Sequence, residues 1–370
     1  MSLRVICQAT LAVGWILTLT GSLAAQAQDR VSYRDPKTGK VVTREGNITG
    51  ESPGGITFVW GLDARKEFIP VTAIEDVRFA TEPPETLQAR AAEAKQQWQK
   101  ALDAYQQALK GAGKAKLAVP FIEFKILKLR ALLMDQQGAD PLQRGELYRQ
   151  LEQFHKRYPN AWQTIECLEL MGQLRLRDGL PADEVLAELR AVRDKFQSQS
   201  ELVGRVNLFE ARALVQQAQG YLQNQPDKAL EIYKQARASL EKLMQTTTDR
   251  NLRQEILVSL VECKAALRQH KEAEADLALL EKEAQDPRTK ALVHLARGDI
   301  YRLSDRIRDA MWEYLWVDVV YNHDRDLVAR ALYWLVDVFR KLGDEEKAKA
   351  CQERLLNEFK DTVWAKRLGK

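Results

Sequence analysis

Two regimes of hydrophobic patterning divide this chain. Between residues 30 and 79, apolar and polar residues alternate over short runs: Val31 with Tyr33, then 41–44 continuing around Ile48, then 56–60, 67–69 and 74–79. A period of two places successive side chains on opposite faces, the mark of half-buried strands. Turn chemistry separates the runs, at Asp35-Pro36-Lys37-Thr38-Gly39-Lys40, at Ser52-Pro53-Gly54-Gly55 and over 61–65. Residues 71–73 read as a one-turn crossover between the fourth and fifth strands. Short strands hide their edges best by curling together, so the pattern predicts a small five-stranded β-barrel over 28–80.

From Glu85 onward the period is helical. Residues 85–110 are dominated by Ala, Gln, Glu, Lys and Leu and read as one helix stopped by Gly111-Ala112-Gly113. Pro120 opens the next helix, running to 137, and helices then alternate with short polar or glycine-containing breaks. Thr81-Glu82-Pro83-Pro84 reads as a stiff linker, so the expected layout is a barrel over 28–80, a linker over 81–84 and a helical array over 85–370. The array repeats itself. Amphipathic segments recur around Ala229, Ala273, Ala310 and Ala348, which are 44, 37 and 38 residues apart. An all-helical repeat of that length predicts stacked helix pairs, each burying its apolar face on the next, with five or six pairs in all.

The spacing of particular residues carries a likeness. In the unit starting at Ala291, Gly298, Tyr301, Ala310 and Tyr314 fall where a tetratricopeptide repeat has a small residue, an aromatic, an alanine and an aromatic. In the unit starting at Ala329, Leu335, Phe339, Gly343 and Ala348 take the equivalent places. The array thus resembles tetratricopeptide repeats, and the strand order before it resembles an SH3-like or Sm-like barrel. The resemblance implies a mainly α fold, a right-handed α-solenoid of helix pairs preceded by the small barrel. It also implies a groove lined by the first helix of each pair. Carried onto the two best units, that groove contains Leu292, Leu295, Asp299, Arg302 and Leu303, then Arg330, Tyr333, Asp337, Arg340 and Lys341. Asp299, Arg302, Arg330, Tyr333, Asp337 and Arg340 are its expected recognition residues for a protein or peptide partner.

Composition narrows the picture a little. The N-terminus has a weakly positive start at Arg4, a mostly apolar run over 5–19 and small residues at Ala25-Gln26-Ala27, the pattern of a cleaved export signal over 1–27. The run is too short for a confident membrane span, so the mature protein is expected in the periplasm or secreted, without a transmembrane segment. There are 56 basic and 52 acidic residues, which is no basis for binding nucleic acid. The cysteines left after such cleavage, Cys167, Cys263 and Cys351, are odd in number and far apart, so buried thiols are expected.

Candidate chemistry is thin. The four histidines, His155, His270, His294 and His323, lack metal-ligand spacing, and no zinc, haem or phosphate-loop motif occurs. No cofactor and no catalysis are expected. A basic run, Lys110, Lys114, Lys116, Lys125, Lys128 and Arg130, reads as a solvated face. The aromatic segment containing Trp312 and Trp316 is expected to be sandwiched between neighbouring helices. The leading expectation is an exported, non-catalytic scaffold. The alternatives are an envelope-assembly factor, similar to helical-repeat lipoproteins that insert outer-membrane proteins, and a cell-wall or carbohydrate-active enzyme built on superhelical repeats.

Overall fold

A computed structural model describes residues 28–369, except 36, 37, 114, 223 and 285. The export-signal reading of 1–27 lies outside the described residues. Five antiparallel strands come first: β1 (Asp29–Arg34), β2 (Val41–Ser52), β3 (Gly55–Trp60), β4 (Arg65–Pro70) and, after a 3-10 turn at Val71–Ala73, β5 (Ile74–Arg78). Their order is β4-β3-β2-β1-β5, a meander in which β5 returns to pair with β1. The long β2 changes register between Ile48 and Gly50, which bends it around a core of Val31, Tyr33, Ile56, Phe58 and Ile69.

The remaining chain is helical. α1 (Glu85–Ala94) and α2 (Trp98–Gly111) form the first helix–turn–helix, followed by α3 (Ala118–Gln137) with α4 (Pro141–Arg157) and α5 (Thr164–Arg177) with α6 (Asp183–Lys195). Next come α7 (Ser200–Tyr221) with α8 (Pro226–Thr246), then α9 (Arg250–Ala266) with α10 (His270–Glu283). The last two pairs are α11 (Pro287–Leu303) with α12 (Ile307–Val319) and α13 (Arg325–Lys341) with α14 (Glu345–Glu358), after which α15 (Val363–Leu368) turns back onto α13. Among the described residues there are therefore seven pairs and a terminal helix, more than the repeat spacing alone predicts. The extra pair arises at the start, where the run expected as one helix over 85–110 breaks between α1 and α2. Gln96 takes a left-handed conformation there, with φ of 56°, and turns α2 back on α1.

First helices stack on first helices, α3 on α5, α5 on α7, α7 on α9, α9 on α11 and α11 on α13. Within a pair the close approach is visible at Gly298 of α11, where a Cβ would lie 2.7 Å from the ring of Tyr314 of α12. The ring of Tyr314 is fully buried there, with Ala310 beside it in the same core. Leu335, Phe339 and Ala348 join that core, and Tyr301 packs half-buried at its edge. Gly343 follows α13 with φ of 76°, a conformation that glycine adopts without a Cβ clash.

Two long-range features were not contained in the repeat pattern. The sheet and α1–α3 share one core: Val77 and Phe79 pack with Ala89, Tyr105 and Phe121, and Arg90 of α1 donates to Asp76 and to the Val77 carbonyl. The array also closes on itself, because α13 reaches α3. Arg144 of α4 locks this joint. Its guanidinium donates to the Asp178 carboxylate at 2.5 and 2.8 Å and to the Asp361 carbonyl at 3.0 Å. Lys366 of α15 reaches Asp178 at 3.2 Å, and Arg177 reaches Asp326 of α13 at 2.8 Å.

Candidate functional site

Closure turns the inner surface of the array into a cavity of about 880 Å³. Its wall takes Gln219 from α7, Glu262 from α9, Asp299 and Arg302 from α11, and Arg330, Tyr333 and Trp334 from α13. Trp364, Lys366 and Arg367 of α15 cover one side. First helices supply most of this wall because their second helices hold them apart on the outside, leaving polar and aromatic faces to look inward. A second cavity of about 1070 Å³ opens beside it against α6, α7 and α8, and Arg367 borders both.

Four of the six expected recognition residues meet here. Asp299 accepts a hydrogen bond from the Tyr314 hydroxyl at 2.6 Å and another from Arg330 at 2.6 Å. Arg330 also pairs with Glu262 at 3.0 Å. Burial works against the Arg330 charge, but Glu262 and Asp299 outweigh it and hold the guanidinium above its ordinary value. Burial and Asp299 push the Tyr314 hydroxyl well up, so it stays a neutral donor. Arg302 lies with its guanidinium carbon 3.6 Å from the centre of the Trp334 ring, a stacked cation–π contact. Tyr333 meets Trp334 edge-on at 4.8 Å and Trp364 at 5.4 Å, so three aromatic rings form one corner.

Asp337 and Arg340 are not part of this wall. Asp337 pairs with Lys341 at 3.0 Å, and Arg340 donates to Gln352 of α14 at 2.9 Å, both near solvent. Leu295 is buried in the repeat core instead of facing the groove. The helical turn explains this difference, since the end of α13 rotates its face away from the cavity toward α14. Tyr233, Glu262, Trp334, Trp364 and Arg367 border the cavity without having been expected there. Glu262 precedes Cys263, whose burial marks an inward-packed helix; that is a local signal. Trp364 and Arg367 offer none, because they arrive through a terminal helix outside the repeat register.

Elsewhere, one expectation is overturned. Trp312 is 59% exposed and Trp316 47%, so the two are not sandwiched between helices. With Val319 they form an i, i+4, i+7 stripe on the outer face of α12, and Trp316 stacks on His294 at 5.6 Å. The packing volume between α11 and α12 is already filled by Tyr314, which leaves the tryptophans outside. Part of the basic run is paired: Lys125 binds Glu93 at 3.0 Å and Lys128 binds Glu166 at 2.5 Å, while Arg130 donates to the neutral Gln150 at 2.7 Å. Lys114 lies outside the described residues.

No group of three His, Cys, Asp or Glu among the described residues is placed to hold a metal ion, and no described helix is long and apolar enough to cross a membrane. Burial pushes the Cys167 and Cys263 thiols up, away from the reactive thiolate form, and lifts Cys351 to about 11.

These features define a class, a mainly α protein of tetratricopeptide-like helix pairs with a five-stranded antiparallel sheet in front. No protein-family profile matches the sequence, and no curated protein sequence matches it. Solved structures with similar helical arrays do align. A tetratricopeptide repeat protein from Parabacteroides merdae covers 77% of this chain and 98% of its own length, at 12% identity and a TM-score of 0.47. Apo RapI covers 77% and 97%, at 13% identity and 0.46. PilW, a type IV pilus biogenesis factor, covers 77% and 97%, at 14% identity and 0.31.

Proposed function

We propose that this protein is a non-catalytic binding scaffold whose closed inner face holds a segment of a protein partner. One observation carries the reading: the stacked first helices α9, α11 and α13 turn charged and aromatic side chains, and α7 the Gln219 amide, into a single cavity of about 880 Å³. That volume falls within the range of sites that engulf small ligands or short peptide segments. A wall of ion pairs and aromatic rings supplies both orientation and apolar contact. The sheet, which we read as an SH3-like barrel, acts as the platform on which α1–α3 start the array.

Photo-crosslinking inside cells tests this directly. A benzophenone amino acid replacing Leu303 or Leu222, both on the cavity wall, is expected to give discrete adducts with a partner. The same group replacing Trp312, on the outer face, is expected to give few. Adducts that form at position 312 and fail at both cavity positions would move the site to the outer aromatic stripe.

A further inference from the structure

The cavity wall is unbalanced in charge. Four cations, Arg302, Arg330, Lys366 and Arg367, face three carboxylates, Asp178, Glu262 and Asp299. Each carboxylate is already engaged: Asp178 by Arg144 and Lys366, Glu262 by Arg330 and Gln219, Asp299 by Arg330 and the Tyr314 hydroxyl. Arg367 is the cation left over. Its guanidinium carbon stands 4.7 Å from the centre of the Trp364 ring, and among the described residues it makes no ion pair. Burial lowers its proton affinity and the Arg330 charge adds to that effect, against Tyr333, Tyr233 and the Glu262 carboxylate, which act the other way. An arginine nonetheless remains charged in proteins, so the cavity retains an uncompensated positive group.

The unsatisfied hydrogen-bonding groups of the wall have the same sign. The indole N–H of Trp334 and Nε of Arg330 are sealed from solvent without an acceptor. Both are donors, and no buried side-chain acceptor of this wall is left without a partner. A buried donor without an acceptor is costly. These two donors are closed to the cavity as well as to solvent, so the ligand chemistry is set by the surplus charge of the wall.

Resting on the inner-face reading above, we propose that Arg367 anchors a carboxylate of the bound segment, with an apolar or aromatic neighbour of that carboxylate lying in the corner of Tyr333, Trp334 and Trp364. One surplus cation suits a singly charged anion, whereas a phosphate dianion would call for more. The planar guanidinium fork matches a planar carboxylate through two parallel N–H···O bonds. The carboxylate can belong to a chain terminus or to an acidic side chain, and the test separates these sources.

Three short peptides serve as probes for the full chain, read by saturation-transfer NMR and calorimetry. They are acetyl-Ala-Phe with a free carboxylate, its C-terminal amide, and acetyl-Asp-Phe-amide. The free acid or the aspartyl amide, or both, is expected to bind roughly tenfold or more tightly than the neutral amide, the ratio expected of one charge-assisted pair. Preference for the first assigns a chain terminus; preference for the second assigns an acidic side chain. Arg367→Gln is expected to remove the preference, and Arg367→Lys to keep part of it. Thermal stability of Arg367→Gln is expected to stay level or rise, because an unpaired buried cation disappears; a purely structural arginine would give a loss. Equal binding of all three peptides, or an unchanged preference in Arg367→Gln, overturns the proposal. If the neutral amide binds as well as the acids and a Leu303→Glu change expels it, the inner-face reading stands while the carboxylate anchor falls. If no peptide binds at millimolar concentration, the anchor also falls, and the crosslinks at 222 and 303 decide the inner-face reading separately.

Discussion

Arg144 is 1% exposed, because it lies on the buried face of α4 with Leu147, Leu151 and Phe154, three, seven and ten residues further on. It is tolerated inside because Asp178 and two backbone carbonyls, those of Ala139 and Asp361, accept from its guanidinium. Arg330 repeats the device one layer away, between Asp299 and Glu262. Reversing Arg330 to Glu would gather three carboxylates at one buried point, so this residue belongs to the support of the site. Glu51 shows a different use of burial. It ends β2 against the backbone of Trp162, and burial pushes its carboxyl up to about 7 from an ordinary 4.5, with Trp162 and Lys116 opposing. Between those two values the folded chain binds this proton more firmly than the unfolded chain. Its stabilisation is therefore complete below about 4.5 and lost as pH rises through about 7. Glu51→Gln is expected to flatten the melting temperature between pH 5 and 8 and to raise it at pH 8. An unchanged profile would show that Glu51 titrates as an ordinary surface carboxylate.

Short left-handed turns recur between the helices of a pair. Gly138, Gly179 and Gly343 take them with φ of 77°, 71° and 76°, and Gln96, Arg268 and Asp305 take them with φ of 56°, 59° and 60°. The first three were legible as breaks because glycine is the usual residue there; the others were not, which is why 85–110 read as one helix. A side chain held in this conformation costs on the order of 1 kcal/mol. Gln96→Gly is thus expected to raise stability by about 0.5 kcal/mol and Gly343→Ala to lower it by about 1 kcal/mol. Urea unfolding of both variants checks this, and a neutral Gly343→Ala would show that the α13–α14 turn relaxes to another conformation.

At the scale of the molecule, the sheet and the array are mechanically continuous at one end, and the array meets itself at the other. A fragment beginning at Glu85 uncovers Phe121 and Ala89, which now pack on Phe79 and Val77. The closing joint concentrates on few residues, Arg144, Arg177, Asp178, Asp326, Asp361 and Lys366. Removing its acids with Asp178→Ala and Asp361→Ala leaves Arg144 buried and unpaired, a change that typically costs about 3 kcal/mol or more. The expected result is an array that opens at the α3–α13 contact. Small-angle scattering should show a larger radius of gyration, and hydrogen exchange should quicken in α15. Unaltered scattering and exchange would mean that apolar contacts alone hold the ring.

By itself the sequence determined the strands, most helices and the repeat, because each depends on patterns within a few residues: a period of two, a period near 3.6, and turn chemistry. It also placed Asp299, Arg302, Arg330 and Tyr333 in one region, since a repeat register carries facing positions along with it. Asp337 and Arg340 failed to join them because a small rotation of α13 decides which turn still faces inward. Closure, the shared core under the sheet and the arrival of Trp364 and Arg367 beside Arg330 were decided only by tertiary structure. Closure and the arrival of α15 result from small rotations summed along the array, which no local segment encodes, and the core under the sheet joins apolar faces whose local patterns do not name their partners.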